Sequence, residues 1–298
     1  MGRIAAAALI AAAGLLWAQE TVFKSNVRLV RLLVTVTDDA GLPVGALERS
    51  DFRLFDNGVE QQLAVFEQHT SQPLSVALLI DNSASTATKL KEELRSVSQF
   101  FKALFAEGNP EDAASLYSFN HDVVRRSSFT RRLSRLQSAM KGIQAEAGTS
   151  MYDAIYLSAD GLEDREGRRV MVLVTDGGDT TSAKTFHAAL ETAHRVDAVI
   201  YGILVMPISS DAGRNIGGEH ALEGLARGTG GRVFQPTPGP ELDTAFREIL
   251  RDLRTQYLLA FYPKSVPPSR NRFHTLEVRV ARPGLRVKTR AGYYGSAE

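Results

Sequence analysis

Three short uninterrupted apolar runs, "LSVALLI" (74–80), "RVMVLVT" (169–175) and "AVIYGILV" (198–205), limit what this chain can fold into. A strand that is apolar at nearly every position has to be buried on both faces, which is the condition of a parallel sheet covered by helices. The segments between the runs have helical period. In "KLKEELRSVSQFFKALF" (89–105), Leu90, Leu94, Val97, Phe101 and Leu104 fall on one stripe. Strand and helix therefore alternate from Pro73 onward, and the helix "ELDTAFREILRDLRTQ" (241–256) closes the unit.

Both ends of the chain follow a different pattern. Between Asn26 and Phe66, Val27, Leu29, Leu32, Val34 and Val36 recur near period two, with "DDAG" and "DNG" as turn signals. Two-residue periodicity returns in "YLLAFYP", "HTLEVRVA" and "LRVKTRAGYY", and "PKSVPPSRNR" between the first two reads as a Pro-rich hairpin loop. Two or three isolated strands are marginal. The two ends are therefore expected to pair with each other as one β domain into which the α/β domain is inserted.

The first residues, "MGRIAAAALIAAAGLLWAQE", give Arg3 and then an uncharged run from Ile4 to Trp17. That run is shorter than the roughly 20 apolar residues a bilayer requires. It reads as a secretory signal cleaved after Ala18, which leaves no stable transmembrane segment in the mature chain. The expected division is a leader at 1–18, β-domain segments at 19–72 and 251–298, and the α/β domain at 73–250. Export to the periplasm, cell surface or medium follows from the leader alone, since the chain has no cysteine for a disulfide or a lipid anchor. The net charge of +1 gives no global field that would draw the protein to nucleic acid. The basic run "VVRRSSFTRRLSRLQ", with Arg125, Arg126, Arg131, Arg132 and Arg135, has no interleaved aromatic platform and reads as a solvated hairpin and helix face.

The chemistry lies where the apolar runs end. In open α/β sheets, ligands bind at the carboxyl ends of strands, near the point where strand order reverses. Asp81 follows "LSVALLI", and "DNSAS" offers Asp81, Ser83 and Ser85 from one turn. Asp176 follows the second run in "TDGGD", and Thr149 stands on the glycine-led loop "AGTSMYDAI". Two carboxylates and three hydroxyls suit a hard divalent cation, Mg2+ first, with Mn2+ or Ca2+ as substitutes. With so few carboxylates the ion keeps net positive charge and an open position for an oxygen from outside. The other reading of "DNSAS" is a helix N-cap, with Ser83 or Ser85 capping the helix that follows. Asp179 is either an outer acid of the site or a turn residue.

Other chemistries lack their residues. An EF-hand needs glycine where Thr86 stands and a helix before the loop, and a haloacid-dehalogenase-type phosphatase needs a second acid in the place of Ser83. No G-x-S-x-G elbow, HExxH or Walker loop occurs, and His187 and His194, seven apart on a helix, read as a surface face.

Asp81-x-Ser83-x-Ser85, then Thr149, then Asp176 resembles the metal-ion-dependent adhesion site (MIDAS) of von Willebrand factor type A (VWA) domains, over roughly Pro73 to Leu250 with all five positions filled. The flanking "LRTQYLLAFYP" and terminal "RAGYY" also look like bacterial VWA-related proteins of acidobacteria. The resemblance implies a doubly wound, mainly parallel, Rossmann-like sheet, here inserted in a smaller antiparallel β-sandwich. It implies an exported adhesion or assembly module, not an enzyme, whose ion meets an acidic residue of a protein partner. A subunit whose ion only stabilises the domain is the alternative, and a metal-dependent hydrolase the third reading. The long loop "MPISSDAGRNIGGEH" (206–220) is either a ligand-contacting rim, with Arg214 pairing a second acid of the partner, or a flexible connection.

Overall fold

The computed structural model describes residues 29–68, 72–106, 108–205, 215–237, 240–267 and 272–295. The expected leader lies outside them, as does Arg214. In chain order, β1 (Val30–Thr37), β2 (Phe52–Asp56), β3 (Val59–Gln61) and β4 (Leu63–Glu67) come first. The α/β unit follows with β5 (Leu74–Asp81), α1 (Leu90–Ala106), β6 (Ala113–Phe119), β7 (Val123–Thr130), α2 (Leu133–Met140), α3 (Met151–Glu163) and β8 (Arg168–Thr175). It is completed by α4 (Phe186–Arg195), β9 (Ala198–Leu204), α5 (Ile216–Thr229), β10 (Val233–Phe234) and α6 (Pro240–Thr255). The chain then adds β11 (Tyr257–Phe261), β12 (Phe273–Val280), β13 (Arg286–Lys288) and β14 (Gly292–Tyr294).

The central sheet has the order β10-β9-β8-β5-β6-β7, parallel except for β7 at its edge. The chain leaves β5 toward β6 on one side and returns through β8 on the other, so strand order reverses at β5. Every residue of β5 is buried. Val76, Leu78 and Ile80 enter a core shared with α1, α2 and α6, while Ala77 and Leu79 enter the core of α3, α4 and α5. The alternation of side chains along one strand thus supplies both layers of a doubly wound fold.

The terminal strands build two antiparallel sheets, β13-β1-β11-β4 and β14-β12-β2-β3. Their facing sides share one core containing Leu32, Val34, Leu54, Phe52, Tyr257, Leu259, Phe261 and Leu276. The Tyr257 hydroxyl in that core is satisfied: its Oη donates to Val44 O at 2.7 Å and accepts from Leu47 N at 3.1 Å. One expectation is corrected here. β11 and β12 lie in different sheets, so the Pro-rich segment between them is a crossover and not a hairpin loop. Each strand found longer partners elsewhere, β11 between β1 and β4 and β12 beside β2.

A buried polar seam seats the two units on each other. Gln256, between α6 and β11, donates through Nε2 to Thr35 Oγ1 at 3.0 Å and accepts from the Arg168 guanidinium, which also reaches Leu253 O. Arg290 pairs with Asp197 and Arg31 O, and Ala291 N donates to Gly228 O at 2.9 Å. His194 belongs to this seam and not to a surface face. It is buried, its Nε2 bonds Gly228 O at 2.9 Å, and its ring stacks on Phe273 at 5.6 Å. The basic run forms β7 and α2, and Arg131 serves as a helix cap, donating to Phe105 O and Asn109 O at the end of α1. Among the described residues no helix is long and apolar enough to cross a membrane.

A chain ended after Thr255 removes both strands that flank β1 and leaves β2 only the short β3. Hydrogen exchange should then show loss of protection in residues 30–37 and 52–56, with protection of β5, β8 and β9 retained.

Candidate functional site

Asp81 is the last residue of β5, at the point of strand reversal, and it is fully buried. Its Oδ2 accepts from Thr175 Oγ1 of β8 at 2.6 Å, and its Oδ1 accepts from Ser83 N at 2.8 Å. Burial pushes the carboxyl up to about 6, against the pull of the Thr175 and Ser83 hydrogen bonds, and the nearby charge of Asp176 adds to the rise. The chain after Asp81 turns through a 3-10 segment, Ala84–Thr86, held by Thr86 Oγ1 donating to Asp81 O and Ser83 O. That turn brings Ser83 Oγ to 3.0 Å from Ser85 Oγ. Ser83 is buried, Ser85 is exposed, and the Ser83 hydroxyl makes no capping bond. The N-cap reading of "DNSAS" therefore does not describe what this hydroxyl does.

Two further loops are stitched to this turn. The loop before α3 is tied by Glu146 N donating to Asn82 O at 2.9 Å and Asn82 Nδ2 donating to Gln144 O at 2.6 Å. Gly148 turns the chain with φ +87°, and a Cβ there would lie 3.0 Å from the His121 backbone. Thr149, which follows, donates its N–H to Thr180 Oγ1 at 3.0 Å, while its carbonyl accepts from Thr180 N and Thr181 N. The loop after β8 begins with Asp176, half-buried, whose Oδ1 accepts from Gly178 N at 3.3 Å. Gly177 has φ +89° and lies against the start of α5, where a Cβ would meet Glu219 N at 3.1 Å. Asp179 is a cap: its Oδ2 accepts from Tyr152 N at 3.0 Å and Ser182 Oγ at 2.6 Å, and Asp153 reciprocates to Ala183 N and Lys184 N.

All five residues singled out in the sequence, Asp81, Ser83, Ser85, Thr149 and Asp176, thus stand on three loops bonded together at one edge of the sheet. The chemistry of the set fits a hard divalent cation: a buried carboxylate, a second one near enough to repel it, and two hydroxyls side by side. Among the described residues no three His, Asp or Glu side chains gather as ligands, and this donor set does not require it.

Sequence reasoning missed two residues. Thr175 looked like the end of an apolar run, yet it is the main donor to Asp81. Glu93 lies on α1, 1 % exposed, with both carboxylate oxygens buried and without a hydrogen-bond partner. Burial, then the charge of Asp81, pushes it up to about 8, with Lys89 acting in the opposite direction. The signal was available, because Glu93 stands among Leu90, Leu94 and Val97 on the apolar stripe where no acid belongs.

Residues 76–178 match the family model of the von Willebrand factor type A domain. The inserted α/β unit is a domain of that family. Among solved structures, the vWF domain of the type V pili tip protein Mfa5 from Porphyromonas gingivalis superposes with TM-score 0.50 at 15 % identity, over 61 % of this chain and 95 % of that one. The pilus adhesin SpaC from Lactobacillus rhamnosus GG, in its open conformation, gives TM-score 0.52 at 10 % identity over 82 % of this chain and 41 % of the adhesin. At these identities the likeness is one of fold. The comparison with curated proteins finds no match.

Replacing Thr175 by Val keeps the shape and removes the donor to a buried carboxylate. Urea denaturation should show a loss of about 1.5–3 kcal/mol, the usual worth of a hydrogen bond to a charged group. A second expectation concerns pH without divalent ions. Asp81 is raised from 3.8 to about 6 and Glu93 from 4.5 to about 8, so the folded state binds these protons more tightly than the unfolded one. Their contribution is present at acid pH and is lost as pH rises through those values. Thermal melts in chelator should therefore show stability declining across that window, and a flat profile would refute the assignment.

Proposed function

We propose that this protein is an exported protein-binding module, of the adhesion or assembly kind, that takes an acidic residue of a partner through a divalent cation held by Asp81, Ser83, Ser85, Thr149 and Asp176. The observation that carries the reading is the buried Asp81 carboxylate at the strand reversal, repelled by Asp176 and adjoining the paired hydroxyls of Ser83 and Ser85. The cation, Mg2+ by preference, supplies a Lewis-acidic point for an incoming carboxylate. Everything else is done by the chain. Thr175 and the Ser83 amide orient Asp81, the turn at 84–86 presents the hydroxyls, and the Thr149–Thr180 bonds hold the second loop against the third.

Few carboxylates and several neutral oxygens leave the ion electrophilic, and this favours capture of a partner's acid over saturation by the protein's own. At the sheet edge Ser85 is exposed and Asp176 half-buried, and the β-sandwich is joined to the unit through the Gln256 and Arg290 seam, away from the 81–85 turn. The expected loop over 206–220 is shortened by α5, which begins at Ile216 with Asn215 as its cap, so the reading gives the rim to the segment before Asn215 and assigns Arg214 to a second acid of the partner. It includes no catalytic step.

Isothermal titration of the mature chain should show one divalent site that Asp81→Ala or Asp176→Ala abolishes. Capture of a partner from the native envelope should require Mg2+ and fail with Ser83→Ala. Unchanged Mg2+ and Mn2+ binding in both aspartate variants would sink the reading.

A further inference from the structure

Glu93 is the one acid on the sheet-facing side of α1. It is 1 % exposed, and neither of its oxygens accepts a hydrogen bond, from Lys89 or from any other group. A carboxylate has about four lone-pair positions, and in this one all are unused inside the protein. Buried polar groups are normally satisfied, and exceptions call for a bound water or ion or a functional role. The charges that act on Glu93 belong to Asp81, Lys89, Asp176 and Glu92, so two of the three acids near enough to raise it are the carboxylates of the candidate site, Asp81 foremost. Beside Asp81, Asn82 Oδ1 is a second buried acceptor without a partner. Buried acceptors that lack donors, on Glu93 and on the residue after Asp81, in a region where acids outnumber cations, call for water molecules whose protons are turned outward by a cation.

We propose that Glu93 is a positioning residue of the cation site, holding a water bound to the ion and so selecting Mg2+ over Ca2+. This rests on the cation reading given above. Direct ligation by Glu93 does not fit, because among the described residues no three carboxylates gather closely enough to hold one ion. At one water's remove the carboxylate still acts, since an ion-bound water is a strong donor and its second proton needs an acceptor. Mg2+ is small, prefers six-fold geometry and gives up its waters reluctantly, whereas Ca2+ exchanges water for protein oxygens readily. An outer acceptor placed for a retained water therefore favours the smaller ion. Without the ion, burial and the charges of Asp81 and Asp176 favour the protonated form of Glu93, which accepts less readily.

The full chain should be titrated with Mg2+ and with Ca2+, as the parent and as Glu93→Gln, and melted in chelator with and without added Mg2+. The Gln variant should bind Mg2+ about tenfold more weakly, in the range that outer partners of metal ligands usually contribute, with Ca2+ binding affected less. In chelator, at a pH above the value of about 8 to which burial raises the parent carboxyl, it should melt above the parent, because a buried charge is gone, and its gain on adding Mg2+ should shrink. A residue that merely packs would lower stability with and without the ion, so the opposed signs separate the two roles. Glu93→Met, of similar length and without the amide, repeats the measurement should the Gln variant fold poorly. Mg2+ affinity within about twofold of the parent, or a lower melting temperature in chelator, overturns the proposal while leaving the cation site intact. Absence of divalent binding by the parent overturns both.

Discussion

The hydrogen bond from Thr175 Oγ1 to Asp81 Oδ2, 2.6 Å long, ties the end of β8 to the end of β5 at the point where the sheet reverses direction. A buried carboxylate is costly unless its lone pairs are used. Here two donors are committed to it, one from each side of the reversal, because the Ser83 amide takes the other oxygen. Thr175 Oγ1 in turn accepts from Gly177 N at 3.1 Å, so the bond that orients Asp81 also sets the start of the loop carrying Asp176. Around this bond the remaining loops are placed by backbone contacts: Asn82 to the 144–146 segment, and Thr149 to Thr180 and Thr181. The electrostatics are left unbalanced: Asp81, Asp176, Glu92 and Glu93 act on one another with Lys89 as the opposing charge.

The second constraint is the seam between the two units. The chain enters the α/β unit before β5 and leaves it after α6, so the β-sandwich forms only when strands from both termini meet across the inserted domain. Gln256, Arg168, Arg290 and His194 occupy that junction as buried polar groups bonded mainly to backbone carbonyls and to each other. Such groups have directional requirements that an apolar interface lacks, and they set one seating of the units. The seam is built on the amino ends of β8 and β9, as Arg168 and Asp197 show, opposite the edge that carries Asp81 and Asp176. The seam and the candidate site thus lie at opposite ends of the parallel strands.

Much of this was legible in the residues, and the errors have definite causes. Asp81, Ser83, Ser85, Thr149 and Asp176 could be read because each follows an apolar run or a glycine turn, a local signal. "PKSVPPSRNR" looked like a hairpin because turn residues separated two strands, but turn chemistry does not state which strand is the partner. His194 looked like a surface residue because its helix is polar overall. It is buried because Phe273 and Tyr294, from the far end of the chain, close over it.

The sequence by itself determined the periods: continuous apolar strands that need two covered faces, amphipathic helices that cover them, and period-two ends that need one another. It also determined the donor types at the strand ends, since loops are short and their chemistry is local. The tertiary structure alone decided which sheet each terminal strand joined, that Thr175 rather than a loop residue orients Asp81, and that Glu93 lies inside with no partner. These depend on strand registry and on the loss of water around particular atoms. Both are sums over residues far apart in the chain, and no window of the sequence contains them.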